Sequence, residues 1–142
     1  MADRETRRLS FGSVAEDYDR YRPAPPPQAL DWLIPPGAQA VLDLAAGTGA
    51  VTRQLAGRAG RVIAVEPDER MRAVLAARCP EAEVLAGRGE DIPLPDASVD
   101  AVVISGAWHW LFGVGKRPSW LNTVSDKVMG LGGLLVPGTL RD

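Results

Sequence analysis

The sequence predicts an α/β domain built on a doubly wound parallel sheet of about five strands, with helices on both faces. From Ala40 onward, short apolar runs rich in β-branched residues alternate with amphipathic helical segments. Continuous apolar strands are typical of a parallel sheet that is buried on both faces. The 142 residues are 46% hydrophobic and 24% charged, a composition that fits one globular domain with its own core.

Two parts are predicted along the chain: a helical arm over residues 1–36 and the α/β domain over residues 37–142. The proline-dense segment PAPPP lies within the arm. Before it, the i, i+4, i+7 spacing of Val14, Tyr18 and Tyr21 predicts a short helix. After it, PQALDWLIPPG predicts a second short helix, which ends at its Pro-Pro-Gly sequence. The apolar residues expected to face inward from this second helix are Leu30, Leu33 and Ile34.

Four strands are predicted at the runs AVLDLA, RVIAVEP, AEVLAG and VDAVVISG. The segment AVTRQLAGRA between the first two predicts a helix with Val51 and Leu55 inward and its arginines outward. The segment DERMRAVLAARC predicts another helix, with Asp68 as its N-cap. The residues expected to face inward from this helix are Met71, Val74 and Leu75.

The C-terminal part of the chain is less regular. A helix is predicted from about Ser119 to Met129, followed by a turn at Gly132 and Gly133 and a fifth strand at LLVP, residues 134–137.

The stretch VLDLAAGTGAVT joins the first strand to the helix that follows it. Its small residues and glycines predict a tight turn in which the backbone comes close to a ligand. In a doubly wound sheet, ligands bind beyond the carboxyl ends of the strands, which is where this turn is predicted to lie.

The second predicted strand ends at Glu66, which lies 66 − 49 = 17 residues beyond Gly49, the last glycine of the loop. A carboxylate at this place can accept hydrogen bonds from both hydroxyls of a ribose, which predicts a nucleoside site. The alternative is that Glu66 serves as a capping carboxylate near Asp68.

The glycine loop could serve either of two nucleoside ligands. The dinucleotide pattern needs a third small residue after Gly47 and Gly49, but that place holds Thr52. Asp43 lies directly before the loop, where its charge would repel a pyrophosphate and attract a cation. S-adenosylmethionine carries a sulfonium and an ammonium group and no phosphate, so it is the ligand we expect.

The composition excludes several other classes. The net charge of −2 gives no electrostatic reason to expect nucleic acid or an anionic membrane as a partner. One cysteine excludes an intrachain disulfide and a thiol-built metal cluster, and no metal is expected. No run is apolar enough for a signal peptide or a membrane span, so a cytoplasmic location is expected.

The motifs VLDLAAGTG, VIAVEPDERM, GRGEDIPLPDASVDAVVISGAWHW and FGSVAEDYDRYRP resemble the type 11 group of class I S-adenosylmethionine-dependent methyltransferases. The resemblance runs from about Phe11 to Trp110 and implies a Rossmann-like fold. It places Asp43, Ala45, Gly47 and Gly49 on the methionine-binding loop. The other cofactor-binding residues that it implies are Glu66 and Pro67 at the ribose and adenine, Asp91 and Ile92 at the adenine, Ser105 near the methyl group, and Tyr18 and Arg22 on an arm that closes over the cofactor. For Tyr18, packing of an amphipathic arm is an alternative.

Methyl transfer needs alignment and exclusion of water, and a base only where the acceptor must lose a proton. His109, the sole histidine, follows the fourth strand between two tryptophans and is the candidate base. Its alternative is a packing or substrate-shaping role. A serine hydrolase is not predicted, because the chain contains no G-x-S-x-G motif.

The resemblance also implies two further strands after the fifth, and this sequence does not supply them. The chain is therefore expected to be shortened at its C-terminus, with self-association through the exposed sheet edge. The predicted function is methyl transfer to a small-molecule acceptor. The alternatives are a nucleoside-binding fragment without turnover and an NAD(P)-dependent oxidoreductase.

Overall fold

The computed structural model describes residues 25–105 and the backbone of residues 128–131. In these residues a five-stranded sheet has the order β3-β2-β1-β4-β5, and every neighbouring pair is parallel. The strands are β1 (Ala40–Leu44), β2 (Arg61–Val65), β3 (Glu83–Leu85), β4 (Ala101–Ser105) and β5 (Val128–Leu131). The helices are α1 (Pro27–Leu33), α2 (Ala50–Leu55) and α3 (Glu69–Arg78). This is the parallel α/β fold class that the alternating pattern predicts, and within the described residues the three helices pack on one face of the sheet rather than on both.

The central strands are buried because apolar side chains cover both of their faces. On one face lies a cluster that includes Leu42, Leu44, Ile63, Val65 and Ile104, with half-buried Leu85, Ile92 and Leu94 packed against it. The other face of the sheet holds two clusters, to which all three described helices contribute. Every residue of β1 is buried, in agreement with a central strand that is covered on both sides.

The predicted inward faces of the helices are largely confirmed. Leu30, Leu33 and Ile34 pack in one cluster with Val51 and Leu55. In α3, Met71 and Leu75 are buried, whereas Val74 is only half-buried. The Asp68 side chain accepts a 3.0 Å hydrogen bond from the Met71 amide, which confirms Asp68 as the N-cap.

Helix α1 belongs to the same core as the sheet, although the predicted division assigns it to the arm. Arg58, in the turn after α2, spans this junction with a 2.9 Å ion pair to Asp31 of α1. Gln54 of α2 also donates a 2.9 Å hydrogen bond to the Pro25 carbonyl. The division at residue 36 itself stays a prediction.

The fifth strand is not where the sequence predicts it. Val128–Leu131 pairs with β4, so the predicted helix from Ser119 is wrong at its C-terminal end, at Val128 and Met129. The predicted strand at residues 134–137 lies outside the described residues. A four-residue apolar stretch has no periodicity that separates helix from strand, which explains the error. Self-association through this edge stays a prediction.

The strand order locates the place where a ligand can bind. β1 pairs with β2 on one side and with β4 on the other, so the order of the strands along the chain reverses at β1. The carboxyl end of β1 is therefore the switch point at which open α/β sheets bind ligands. No helix in the described part of the chain is long and apolar enough to cross a membrane.

Candidate functional site

The glycine loop follows β1 at the switch point and turns tightly. Ala45, Gly47 and Gly49 have φ angles of 58°, 61° and 95°, all in the left-handed region. The Ala46 amide donates to the Val65 carbonyl at 3.1 Å, which ties the loop to the end of β2. Glycine adopts such φ values without strain, whereas Ala45 does so at some cost. The sequence shows that Ala45 is a small residue, but its left-handed backbone was not predicted.

Gly49 is required by packing inside the protein as well as by its φ angle. A Cβ atom at this residue would lie 2.7 Å from Leu75 Cδ1 and 2.8 Å from Cys79 Sγ. The loop therefore touches α3 directly, and a side chain at this position would push the helix away. The sequence predicts close approach to a ligand here, and the structure adds close approach to a helix.

Glu66 is brought against the glycine loop by the parallel pairing of β1 and β2. Its side chain is 5% exposed. Oε2 accepts a 2.9 Å hydrogen bond from the Gly47 amide, and Oε1 accepts a 3.1 Å bond from the Asp68 amide. Both oxygens are thus held by backbone donors. Asp68 rather than Glu66 is the N-cap of α3, while Glu66 accepts a hydrogen bond from the amide of that cap residue.

The pKa of Glu66 lies above its ordinary value of 4.5. Burial is the main cause, because it removes water from the ionised form, and the nearby Asp68 carboxylate acts in the same direction. The hydrogen bonds from Asp68 and Gly47 and the charge of Arg72 partly oppose this shift. The site therefore contains a buried acid whose charge is stabilised by a few fixed donors.

Arg72 lies on α3 and contacts the segment that carries this carboxylate. Its Nη1 atom donates to the carbonyls of Glu66 at 2.9 Å and Pro67 at 2.7 Å. Sequence reasoning missed Arg72, since nothing in its spacing separates it from the other arginines of α3. Pro67 itself is half-buried, directly beside Glu66.

Asp43, the acid within β1, is 1% exposed. Its Oδ2 accepts a 2.6 Å hydrogen bond from the Thr52 hydroxyl on α2. Thr52 is also 1% exposed, and it occupies the place where a dinucleotide pattern has a third small residue. The sequence shows this departure from the pattern, but the pairing of Thr52 with Asp43 was not predicted.

The segment after β3 places Ile92 against the same apolar cluster as Ala45 of the glycine loop. Arg88 and Asp91 exchange backbone hydrogen bonds in a tight turn. Asp91 is exposed, and Ile92 packs against the apolar cluster that contains Val65 and Leu44. A Cβ at Gly87 would lie 3.1 Å from Val65 Cγ1, so this segment approaches the end of β2 closely.

The remaining predicted site residues are divided between the described and undescribed parts of the chain. Ser105 ends β4, the strand that pairs with β1, and is half-buried. Tyr18, Arg22 and His109 lie outside the described residues.

Comparison with known proteins identifies the family. The model of a methyltransferase domain matches residues 42–136. An uncharacterised methyltransferase of Mycobacterium tuberculosis is 52% identical over 103 residues, covering 72% of this chain and 42% of that protein. The ubiquinone/menaquinone biosynthesis C-methyltransferase of Rubrivivax gelatinosus is 42% identical over 72 residues, covering 50% of this chain and 29% of that protein. The chain thus spans less than half the length of these curated relatives.

Solved structures show the same fold. A SAM-dependent methyltransferase from Aquifex aeolicus is similar with a TM-score of 0.66 at 20% identity, over 84% of this chain and 70% of that one. An S-adenosylmethionine-dependent methyltransferase from Mesorhizobium loti gives 0.59 at 23% identity, over 72% of this chain and 51% of that one. The methyltransferase-domain model matches more than half of the residues of this chain, so the chain belongs to the methyltransferase domain family.

Proposed function

We propose that this chain binds S-adenosylmethionine at the switch point and takes part in methyl transfer to a small-molecule acceptor. One observation carries the proposal: the buried Glu66 carboxylate at the end of β2 is hydrogen-bonded to Gly47 of the loop after β1. A carboxylate held beside a glycine loop suits a ribose, whose hydroxyls are donors. Membership of the methyltransferase family supports the choice of cofactor.

The hydrogen-bond pattern also argues against a dinucleotide. A pyrophosphate would need the amides of the glycine loop, but the Gly47 amide already donates to Glu66. Placing phosphates beside this carboxylate and the buried Asp43 would bring like charges together at low dielectric. A cationic ligand does not meet this repulsion.

The proposed roles follow from position. Asp43, Ala45, Gly47 and Gly49 form the loop side of the site, where the methionine part would lie. Glu66 and Pro67 form the ribose side, with Asp91 and Ile92 towards the adenine and Ser105 towards the acceptor. The role proposed for Tyr18 and Arg22 is to cover the cofactor. The role proposed for His109 is to act as a base. The cofactor supplies a methyl group on a sulfonium, and the protein's task is to orient the cofactor and exclude water.

The test is calorimetric titration of the purified chain with S-adenosylhomocysteine and, separately, with NAD. We expect S-adenosylhomocysteine to bind more tightly. The Glu66→Ala variant should lose about 1.5–3 kcal/mol of binding free energy, the range for hydrogen bonds to a charged group. The exposed Glu81 offers a control with the same change of charge, so Glu81→Ala should bind as the unmodified chain does. Tighter binding of NAD, or equal affinity of the two variants, would contradict the proposal.

A further inference from the structure

Arg72 is hydrogen-bonded to the backbone segment that carries Glu66. A single nitrogen, Nη1, donates to two successive carbonyls, those of Glu66 and Pro67, at 2.9 and 2.7 Å. The main chain of Arg72 also belongs to this turn, because its amide donates to the Asp68 carbonyl at 2.9 Å. The residue thus contacts three consecutive residues from the first turn of α3.

These contacts fix the orientation of the Pro67–Asp68 peptide, whose amide is hydrogen-bonded to the Glu66 carboxylate. The peptide that follows Pro67 contains the Asp68 amide, which donates to Glu66 Oε1. The carbonyl of that same peptide is one of the two that accept from Arg72 Nη1. If Arg72 released this carbonyl, the peptide could rotate and the amide would turn away from the carboxylate. Arg72 therefore acts on Glu66 through the backbone as well as through its charge.

The charged groups that act on the Glu66 carboxylate come from two places. Asp68 follows it in the same segment and opposes its ionisation, whereas Arg72 of α3 favours it. The glycine loop contributes the Gly47 amide. Removal of Arg72 would therefore raise the pKa of Glu66 further, because burial and the Asp68 carboxylate would be less opposed.

We propose that Arg72 is a positioning residue for nucleoside binding, which holds the Glu66–Asp68 segment so that the Glu66 carboxylate faces a ribose. The inference rests on the proposed function, since it assigns Arg72 to the same site. Arg72 itself need not touch the ligand.

The test compares Arg72→Met and Arg72→Lys with Arg70→Met, which removes the same charge from an exposed position two residues earlier on α3. Titration with S-adenosylhomocysteine is repeated across a pH series. Arg72→Met should bind about tenfold more weakly at neutral pH, and the pH at which affinity rises should move upward. Arg72→Lys keeps a charge and one nitrogen that can serve both carbonyls, so it should restore the pH midpoint and most of the affinity. Arg70→Met should change neither quantity.

A second readout needs no ligand. The amide protons of Gly47 and Asp68 donate to Glu66, so their NMR shifts should report ionisation of its carboxylate. In Arg72→Met these shifts should titrate at higher pH than in the unmodified chain. Equal titration and equal affinity for Arg72→Met and Arg70→Met would overturn the inference. If the unmodified chain fails to bind S-adenosylhomocysteine, the proposed function fails, while the amide titration still decides whether Arg72 controls the carboxylate.

Discussion

The Thr52 hydroxyl donates a 2.6 Å hydrogen bond to Asp43 Oδ2 between two side chains that are each 1% exposed. This bond joins the strand before the glycine loop to the helix after it. The loop is therefore fastened at both ends by one pair of side chains. A buried carboxylate needs such donors, because ionisation without them is costly at low dielectric.

Replacing Thr52 with valine tests the contribution of this bond. Valine keeps the shape of threonine but cannot donate, so Thr52→Val should lower the free energy of unfolding by about 1.5–3 kcal/mol, the range for a hydrogen bond to a charged group. Urea unfolding followed by circular dichroism measures the change. Thr52→Ser retains the hydroxyl and loses one methyl group, which should cost only about 1 kcal/mol. Equal losses in the two variants would show that the hydroxyl contributes nothing.

The raised pKa of Glu66 predicts an unusual dependence of stability on pH. The native state holds this proton more tightly than the unfolded chain, whose carboxyl has a pKa near 4.5. The contribution of Glu66 to the free energy of unfolding should therefore fall as pH rises from about 4.5 through the native pKa. Most carboxylates that form salt bridges give the opposite slope.

This contribution is isolated by comparing the unmodified chain with Glu66→Gln in urea across that pH range. The amide does not titrate, and its imperfect match to the two backbone donors adds an offset that is constant with pH. We expect the stability difference, unmodified minus variant, to decrease with rising pH. The exposed Glu81 provides the control, since Glu81→Gln should not reproduce this slope. A difference for Glu66→Gln that does not change with pH would contradict the assigned shift.

The parts of the site that could be predicted are those that depend on local sequence pattern. Glu66 was found because a strand pattern ends there, and Asp68 because a cap residue precedes a helical pattern. Arg72 and Thr52 were missed, since their roles depend on which side chains meet across separate elements. The position of β5 was missed for a different reason, because Val128–Leu131 is too short for its periodicity to indicate a strand.

Gly49 allows a test of whether the glycine loop is shaped by its contact with α3. Gly49→Ala introduces a Cβ at a φ of 95° and within 2.8 Å of both Leu75 Cδ1 and Cys79 Sγ. Gly37→Ala is the matched control, because Gly37 has a φ of 76° but nothing within 4 Å of a new Cβ. The control should lose about 1–2 kcal/mol from backbone strain alone. Gly49→Ala should lose a further 1–3 kcal/mol from overpacking.

The contact itself is tested by combining Gly49→Ala with Leu75→Ala, which removes the nearest obstructing atom. Leu75 is fully buried, so its truncation alone should cost about 2–5 kcal/mol through the cavity that it leaves. In the double variant the new methyl group enters that cavity, and the total loss in urea unfolding should be smaller than the sum of the single losses. Combining Gly37→Ala with Leu75→Ala should instead give additive losses. Additivity in both pairs would show that the loop does not press on α3, and that only backbone conformation requires glycine at residue 49.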